Sequence, residues 1–408
     1  MADLYVKEFD MANPLIIASS PATQGVAAVL KSGRTMPGAI VMRNFGHGAG
    51  GGSLVQPSAA AMLAGQPASQ SHAEGTSIKD FFNTLEEYCE GVKQARRGLS
   101  GDIKLWASVG HFSDTVRPGV DWENEWIRQA RELELAGADA LELHFNTPGV
   151  SVCRDRVYDF YRLVFKSTRM IKAEVKIPVM VKLPVEACDP LRAMEAASFA
   201  GADAIGPTAR WKSFDFELDL NSTLARVGAG YGTSHALPII CYNVAEARKN
   251  GVTTPMYAGG GVFTWQAAAK IIMAGSQLAQ LGSLSCCIGP AATTTVLNGL
   301  SKWMDENGYA DMPSLCGKAL DLFNISADKA DARRNALGDK YREIQVDTSR
   351  CVGCGKCEEA CWYEGIEITN RKAAKTQKCI GCGYCFPVCP TGALELNARE
   401  TIAAATNL

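Results

Sequence analysis

The sequence of 408 residues has only five histidines, little surplus of charge of either sign and no long apolar run. Each shortage excludes something. No stretch of about 18 consecutive apolar residues occurs, so no segment has the length of a membrane-spanning helix. Lys and Arg number 41 against 43 Asp and Glu, a formal net charge of -2. Nucleic-acid binding needs a clustered basic surplus, and no such partner is expected. The opening segment MADLYVKEFDMANP has no apolar h-region with a small-residue cleavage site. The expectation is therefore a cytoplasmic protein whose cysteines are metal ligands rather than disulfides. No GxGxxG follows an early strand, and GHGAGGGS at 46–53 lacks the lysine of a P-loop. No dinucleotide site is expected within the chain.

Cysteine is what the sequence has in plenty. Eight of the fifteen lie between Cys351 and Cys389, as two copies of one pattern. The first is Cys351-x2-Cys354-x2-Cys357-x3-Cys361; the second is Cys379-x2-Cys382-x2-Cys385-x3-Cys389, followed by Pro390. In this pattern three closely spaced thiolates wrap one face of a 4Fe-4S cube and the fourth serves the other cube. Cluster one then takes Cys351, Cys354, Cys357 and Cys389; cluster two takes Cys379, Cys382, Cys385 and Cys361. Gly353, Gly355, Gly381 and Gly383 allow the tight turns that aim backbone N–H groups at sulfur. Zinc is the alternative, but its sites use paired C-x2-C knuckles, often with histidine, and no His lies in 351–408. The segment 351–396 resembles the bacterial two-cluster ferredoxins, with Trp362 where the second copy has its proline.

The body reads as eight short apolar runs alternating with amphipathic helices. The runs are Leu15–Ser20, Ala39–Asn44, Lys104–Val109, Ala140–Phe145, Pro178–Leu183, Ala204–Thr208, Thr254–Gly259 and Leu278–Ser283. Nearly continuous apolar runs suit parallel strands covered on both faces. Helices are expected over Trp122–Ala136, Val157–Glu174, Pro190–Ala200 and Trp265–Ala274, and over 238–250, where strand-like PIICYN continues at helical spacing. The fold class is α/β: a (β/α)8 TIM barrel followed by a small α+β ferredoxin domain. An open doubly wound sheet is the alternative, and the count of eight favours the barrel. Expected boundaries are a barrel over 1–300, a helical connection over 301–345, the ferredoxin domain over 346–396 and a tail over 397–408. The Gly-rich run Gly46–Gly52 with residues 53–76 reads as a long loop on the C-terminal face, either one that carries chemistry or a mobile lid or plain linker.

Five stretches carry a resemblance to the dihydropyrimidine dehydrogenases, with the dihydroorotate dehydrogenases as wider relatives. They are ANPLIIASSPAT (12–23), AGADALELHFNTPG (136–149), IPVMVKLP (177–184), AGGGV (258–262) and AQLGS (279–283). The resemblance implies FMN in the barrel, with Ala18, Ser19 and Ser20 against the flavin ring, and Arg43 (for a family lysine), Lys182 and Thr208 as further contacts. Gly260, Gly261, Gly282 and Ser283 end the last two strands, the usual phosphate site of such barrels. Lys182 ends a buried strand, where it either pairs near the flavin and stabilises its anionic reduced form or snorkels to solvent.

The resemblance also implies that Cys153 lies opposite flavin N5. There it would protonate the α-carbon of an activated C=C bond whose β-carbon receives hydride; a buried structural thiol is the alternative. Cys89, Cys188, Cys241, Cys286, Cys287 and Cys316 are read as bystanders. His144 replaces a family asparagine and is either a donor to substrate or flavin or a satisfied core histidine. GPTARWK has Ala209 and Arg210 where the family holds the pyrimidine amide with asparagine. Asn146, Arg210 and Lys212 are the candidate substrate residues, the basic pair suiting an anionic or carbonyl-bearing molecule.

The expected function is an FMN- and iron–sulfur-dependent oxidoreductase that reduces, or reversibly oxidises, an activated C=C bond of a small cyclic or carbonyl-conjugated substrate. The alternatives are a dihydropyrimidine dehydrogenase catalytic subunit proper, and an electron-transfer subunit with no substrate of its own. Electrons would come from ferredoxin or from a flavin-containing, NAD(P)H-oxidising subunit, with a homodimer or hetero-oligomer as the assembly. Lys372, Lys375 and Lys378, beside the second cluster in sequence, would either steer an acidic donor or form a solvated face.

Overall fold

The computed structural model describes residues 2–43, 82, 84–110, 121–145, 157–184, 189–207, 211–215, 226–231, 234–324, 344–379 and 381–396. The chain divides into two compact units, Met1–Phe323 and Asn324–Leu408.

Eight parallel strands build the first unit: β1 (Leu15–Ile17), β2 (Ala39–Met42), β3 (Lys104–Val109), β4 (Ala140–His144), β5 (Val179–Lys182), β6 (Ala204–Gly206), β9 (Tyr257–Gly259) and β10 (Leu278–Leu281). They pair in the order β6-β5-β4-β3-β2-β1-β10-β9. A parallel bridge between Ile205 and Met256, with the Ile205 N–H donating to the Pro255 carbonyl at 2.8 Å, brings the two edges together. All eight expected runs are strands of one barrel, and 238–250 is helical, as Leu237–Lys249. The other four expected helices lie at Trp122–Leu135, Val157–Lys172, Pro190–Phe199 and Trp265–Met273. No helix among the described residues is long and apolar enough to cross a membrane.

Alternation along each strand sorts the core into two sets. Leu15, Ile40, Leu105, Leu141, Val179 and Ile205 join the cluster shared with the helices. Ile16, Val41, Trp106, Ala140, Met180 and Tyr257 join a second cluster inside the barrel. Each large side chain so buried contributes about 1.5–3 kcal/mol. Phe9 stacks on Trp106 with ring centroids 6.2 Å apart, and the Trp106 and Tyr257 rings meet edge to face at 5.3 Å.

The phrase AGADA, repeated at 136–140 and 200–204, has a physical basis. Asp139 accepts the Leu105 N–H at 2.7 Å and pairs with Arg96 at 2.6 Å. Asp203 accepts the Val179 N–H at 2.6 Å and pairs with Lys172 at 2.7 Å. Each aspartate thus ties a strand to its neighbour's start and to a helix end.

Two features depart from the sequence reading. Trp211–Asp215 (β7) and Arg226–Tyr231 (β8) form an antiparallel hairpin after β6, and Lys212 lies in its first strand. The first unit also runs past residue 300 to Phe323. Ala292–Glu306 is a helix whose Leu300 and Met304, with Met312 and Leu315 beyond it, belong to the same buried cluster as Ile16, Val41 and Trp106 of the strands.

In the second unit, β11 (Ile344–Val346) pairs antiparallel with β14 (Leu394–Leu396), and β12 (Ile366–Thr369) with β13 (Lys372–Lys375). Its buried core is small: Ile344, Ile366, Ala373, Ala393 and Leu394 with Cys351, Cys357 and Cys385.

Candidate functional site

Above the apolar layer the barrel interior turns polar. Ser108, Glu142, Lys182 and Gln280 point inward from β3, β4, β5 and β10, and all four are buried. Lys182 is 7% exposed, and its Nζ donates to Gln280 Oε1 at 2.8 Å. It is paired inside the barrel and does not snorkel. Gln280 Nε2 donates to Glu142 Oε2 at 3.5 Å, and Ser108 Oγ to Glu142 Oε1 at 3.4 Å. Beneath them the Tyr257 hydroxyl is fully buried beside the Glu142 carboxylate. Burial first, and the nearby Glu142 carboxylate second, push it well above the usual phenol range.

Two glycines make the room. A Cβ on Gly259 would stand 2.9 Å from the Gln280 Cβ and carbonyl oxygen, and one on Gly206 would stand 2.8 Å from the Tyr257 ring. The Tyr88 hydroxyl enters from the helix side: it donates to the Met42 carbonyl at 2.9 Å and accepts the Ser108 N–H at 3.1 Å. It thereby stands in for a direct ladder bond between β2 and β3.

The other expected flavin residues surround this layer at the strands' C-terminal ends. Ala18 is buried and Ser19 and Ser20 are half-buried just after β1, where the Ala18 N–H donates to the Leu281 carbonyl at 2.9 Å. Arg43 follows β2 and donates to Gln24 Oε1 at 3.1 Å. His144 ends β4 directly across from Lys182 in the register. Gly260 and Gly261 follow β9 at φ of 111° and 76°, and Gly282 with Ser283 follows β10. Cys286, read as a bystander, touches this rim: burial pushes its thiol up, against hydrogen bonds to Ser20 and Ala22 and the nearby Arg43 charge. Cys153, Asn146, Thr208 and Arg210 lie outside the described residues, as do residues 44–81 and the side chain of Lys212. Glu142, Gln280, Ser108 and Tyr88 are site residues that the sequence reading missed.

In the second unit, Cys351, Cys354, Cys357 and Cys389 line one cavity with Val352, Ile368, Ala373, Thr391, Ala393 and Leu394. The sulfurs receive backbone donors: Ala373 N–H to Cys351 Sγ at 3.3 Å, Ala393 N–H to Cys389 Sγ at 3.2 Å and Gly365 N–H to Cys361 Sγ at 3.1 Å. The last two stand four residues beyond the fourth cysteine of each copy, so the two halves share one design. Against the upward push of partial burial, hydrogen bonds from Thr391, Ala393 and Leu394 hold the Cys389 thiol below its ordinary range. Burial pushes the Cys385 thiol up to about 11.

Among the described residues no three His, Cys, Asp or Glu side chains converge closely enough for a single metal ion. Four cysteines around one cavity, fed by N–H donors, suit a larger inorganic cube. Lys372 donates to the Cys351 carbonyl, beside the first set of cysteines rather than the second, and Lys378 pairs with Glu364. Trp362 is 87% exposed, so its departure from proline falls outside the domain core.

Gly353 and Gly355 have φ of 67° and 78°, matched by 68° and 83° at Gly381 and Gly383. A Cβ on Gly353 would also fall 2.2 Å from the Arg371 carbonyl oxygen. Gly353→Ala is therefore expected to destabilise the iron–sulfur unit by about 2–4 kcal/mol, from backbone strain and overpacking together. Thermal unfolding of the holoprotein checks this, and an unchanged transition would contradict it.

Comparison with known proteins agrees with both halves. Residues 344–396 match the family model of the 4Fe-4S dicluster domain. The chain is 28% identical over 254 residues to the NAD-dependent dihydropyrimidine dehydrogenase subunit PreA of Escherichia coli, covering 60% of each chain. It is 26% identical over 191 residues to the catalytic subunit of the NAD(+) dihydroorotate dehydrogenase B of Desulforamulus reducens, covering 47% of this chain and 62% of that one. With the corresponding Pyrococcus abyssi subunit it shares 25% over 184 residues, 45% of this chain and 61% of that one. The chain thus spans about three fifths of the length of these curated relatives. It is similar to a dihydropyrimidine dehydrogenase subunit and to dihydroorotate dehydrogenase catalytic subunits, and its residues 344–396 match a 4Fe-4S dicluster domain.

Proposed function

We propose that this chain is the catalytic subunit of an FMN- and iron–sulfur-dependent oxidoreductase acting on CH–CH bonds. Its substrate would be a small cyclic or carbonyl-conjugated molecule with an activated C=C bond. The observation that carries this reading is the union in one chain of a dicluster domain with a barrel whose mouth holds a buried lysine. The clusters would use Cys351, Cys354, Cys357 and Cys389 for the first and Cys379, Cys382, Cys385 and Cys361 for the second. Single electrons would enter there from a redox partner, either ferredoxin or an NAD(P)H-oxidising flavoprotein subunit. Bound FMN supplies the exchange between those single electrons and a two-electron hydride step.

The chain's own residues do the rest. Lys182 places a positive charge where electron-rich flavin needs one. Backbone N–H groups of Gly260, Gly261, Gly282 and Ser283 would hold the phosphate, and Ala18, Ser19, Ser20, Arg43 and Thr208 would hold the ring. The β-carbon would receive a hydride supplied by reduced flavin and Cys153 would give its proton to the α-carbon, so the double bond would gain two electrons and two hydrogens. The thiolate is then reprotonated from solvent. His144, Asn146, Arg210 and Lys212 would bind the substrate's polar groups. The similarity to PreA favours cyclic amides such as pyrimidines as the first substrates to try.

Anaerobic purification is expected to yield FMN and about eight irons per chain, two cubes of four. Cys153→Ala is expected to keep both cofactors and lose about 100-fold or more in turnover with an artificial electron donor, the share of a general acid. Undiminished turnover would refute that role, and an absence of flavin would refute the reading as a whole.

A further inference from the structure

The polar layer of the barrel holds more than the lysine. Lys182 and Glu142 are both buried, yet they meet only through the amide of Gln280. An ammonium can only donate and a carboxylate can only accept, whereas a glutamine amide has one end of each kind. With Oε1 on Lys182 at 2.8 Å and Nε2 facing Glu142 at 3.5 Å, both ends of Gln280 are committed. Turning the amide over would set its NH2 against the ammonium and its carbonyl against the carboxylate. Depth matters too. In the β4–β5 register Lys182 stands beside His144 at the strand's end, whereas Glu142 stands beside Met180, one layer deeper. A group entering through the C-terminal mouth meets the cation first and the anion behind it. The Ser108 hydroxyl, 3.4 Å from the other carboxylate oxygen, holds Glu142 at that depth.

We propose that Glu142 is a positioning residue: through the Gln280 amide it aims the Lys182 ammonium at the mouth of the barrel and sets how strongly reduced flavin is stabilised there. The proposal rests on the reading of the barrel as an FMN site. Gln280 acts as a spacer that keeps the two charges from collapsing onto one another. Lys182 therefore remains available to a ligand instead of being neutralised in a direct ion pair.

Two variants separate this from a packing role, with the midpoint potential of the bound flavin as the readout. Glu142→Gln keeps the shape and a hydrogen-bond acceptor but removes the anion behind the lysine, so the potential shifts positive. Gln280→Leu removes the spacer, so the ammonium falls back onto Glu142. The potential then shifts negative, and the FMN dissociation constant rises about tenfold with the loss of a charge-assisted hydrogen bond. Opposite signs support the proposal. Potentials that stay at the wild-type value, or move the same way in both variants, overturn it, because loosened packing weakens flavin binding without splitting the potentials. If Glu142→Gln does not fold, Gln280→Leu decides alone: leucine removes no charge, and an unchanged potential is then fatal. Wild-type protein that binds no FMN after reconstitution fails at an earlier step, and there the flavin reading itself falls.

Discussion

Replacing Cys389 with serine is expected to empty the first cluster, not the second, although Cys389 sits in the second cysteine run. The reason is spatial. Cys389 shares a cavity with Cys351, Cys354 and Cys357, and the donors that hold its sulfur come from Thr391 and Ala393 on that cavity's wall. Cys389→Ser should therefore match Cys354→Ser in iron content and in the spectrum of the reduced protein, and differ from Cys382→Ser. Either single variant should retain about half the iron. A Cys389→Ser protein that resembles Cys382→Ser would sink the crossed assignment. The effect on folding should be large as well. Three of the eight buried core residues of this unit are cysteines, and so small a core seldom supplies more than about 3–5 kcal/mol by itself. Metal–ligand bonds then carry the folding free energy. Stripping the iron with a chelator is expected to abolish the unit's separate melting transition while leaving that of the barrel.

The eight strands could be read from the sequence because parallel strands buried on both faces leave continuous apolar runs, and each expected run falls on a strand. Lys182 was legible for a related reason: a charge that ends such a run must be compensated. Glu142, Gln280 and Ser108 were not. Each stands singly in an apolar strand, far from the others along the chain, and only closure of the barrel brings them to one level. The signal was the parity of the strands, since Glu142 lies two residues before His144 and Gln280 two before Gly282, on the same inward face. The hairpin of β7 and β8 escaped because its second strand, RVGAGY, lacks the alternation of a half-buried strand. The expected boundary at 300 cuts through the helix Ala292–Glu306, although Val296, Leu300 and Met304 recur at helical spacing and are buried. The grouping of Cys389 with Cys351, Cys354 and Cys357, by contrast, is expected from the spacing, and these four line one cavity.

Lys182→Met carries the largest effect expected in the barrel, and it separates stability from chemistry. Methionine nearly matches the volume of lysine, so the interior need not collapse. What is lost is the cation. Gln280 Oε1 then faces an apolar thioether, and Glu142 is left as a buried anion among neutral groups, Gln280, Ser108 and the Tyr257 hydroxyl. Removing one partner of a buried, bridged charge pair costs about 2–4 kcal/mol, because the remaining charge is uncompensated. The barrel's melting temperature should fall by several degrees, and FMN affinity by about tenfold or more. Adding Glu142→Gln to this variant should restore most of the lost stability, since it removes the stranded anion, but should not restore flavin affinity. A double-mutant cycle on melting temperature and on the FMN dissociation constant measures both quantities in the same four proteins. Strong coupling in stability with none in flavin binding is the expected pattern. If the second substitution rescues neither quantity, the two charges are not compensating one another through Gln280.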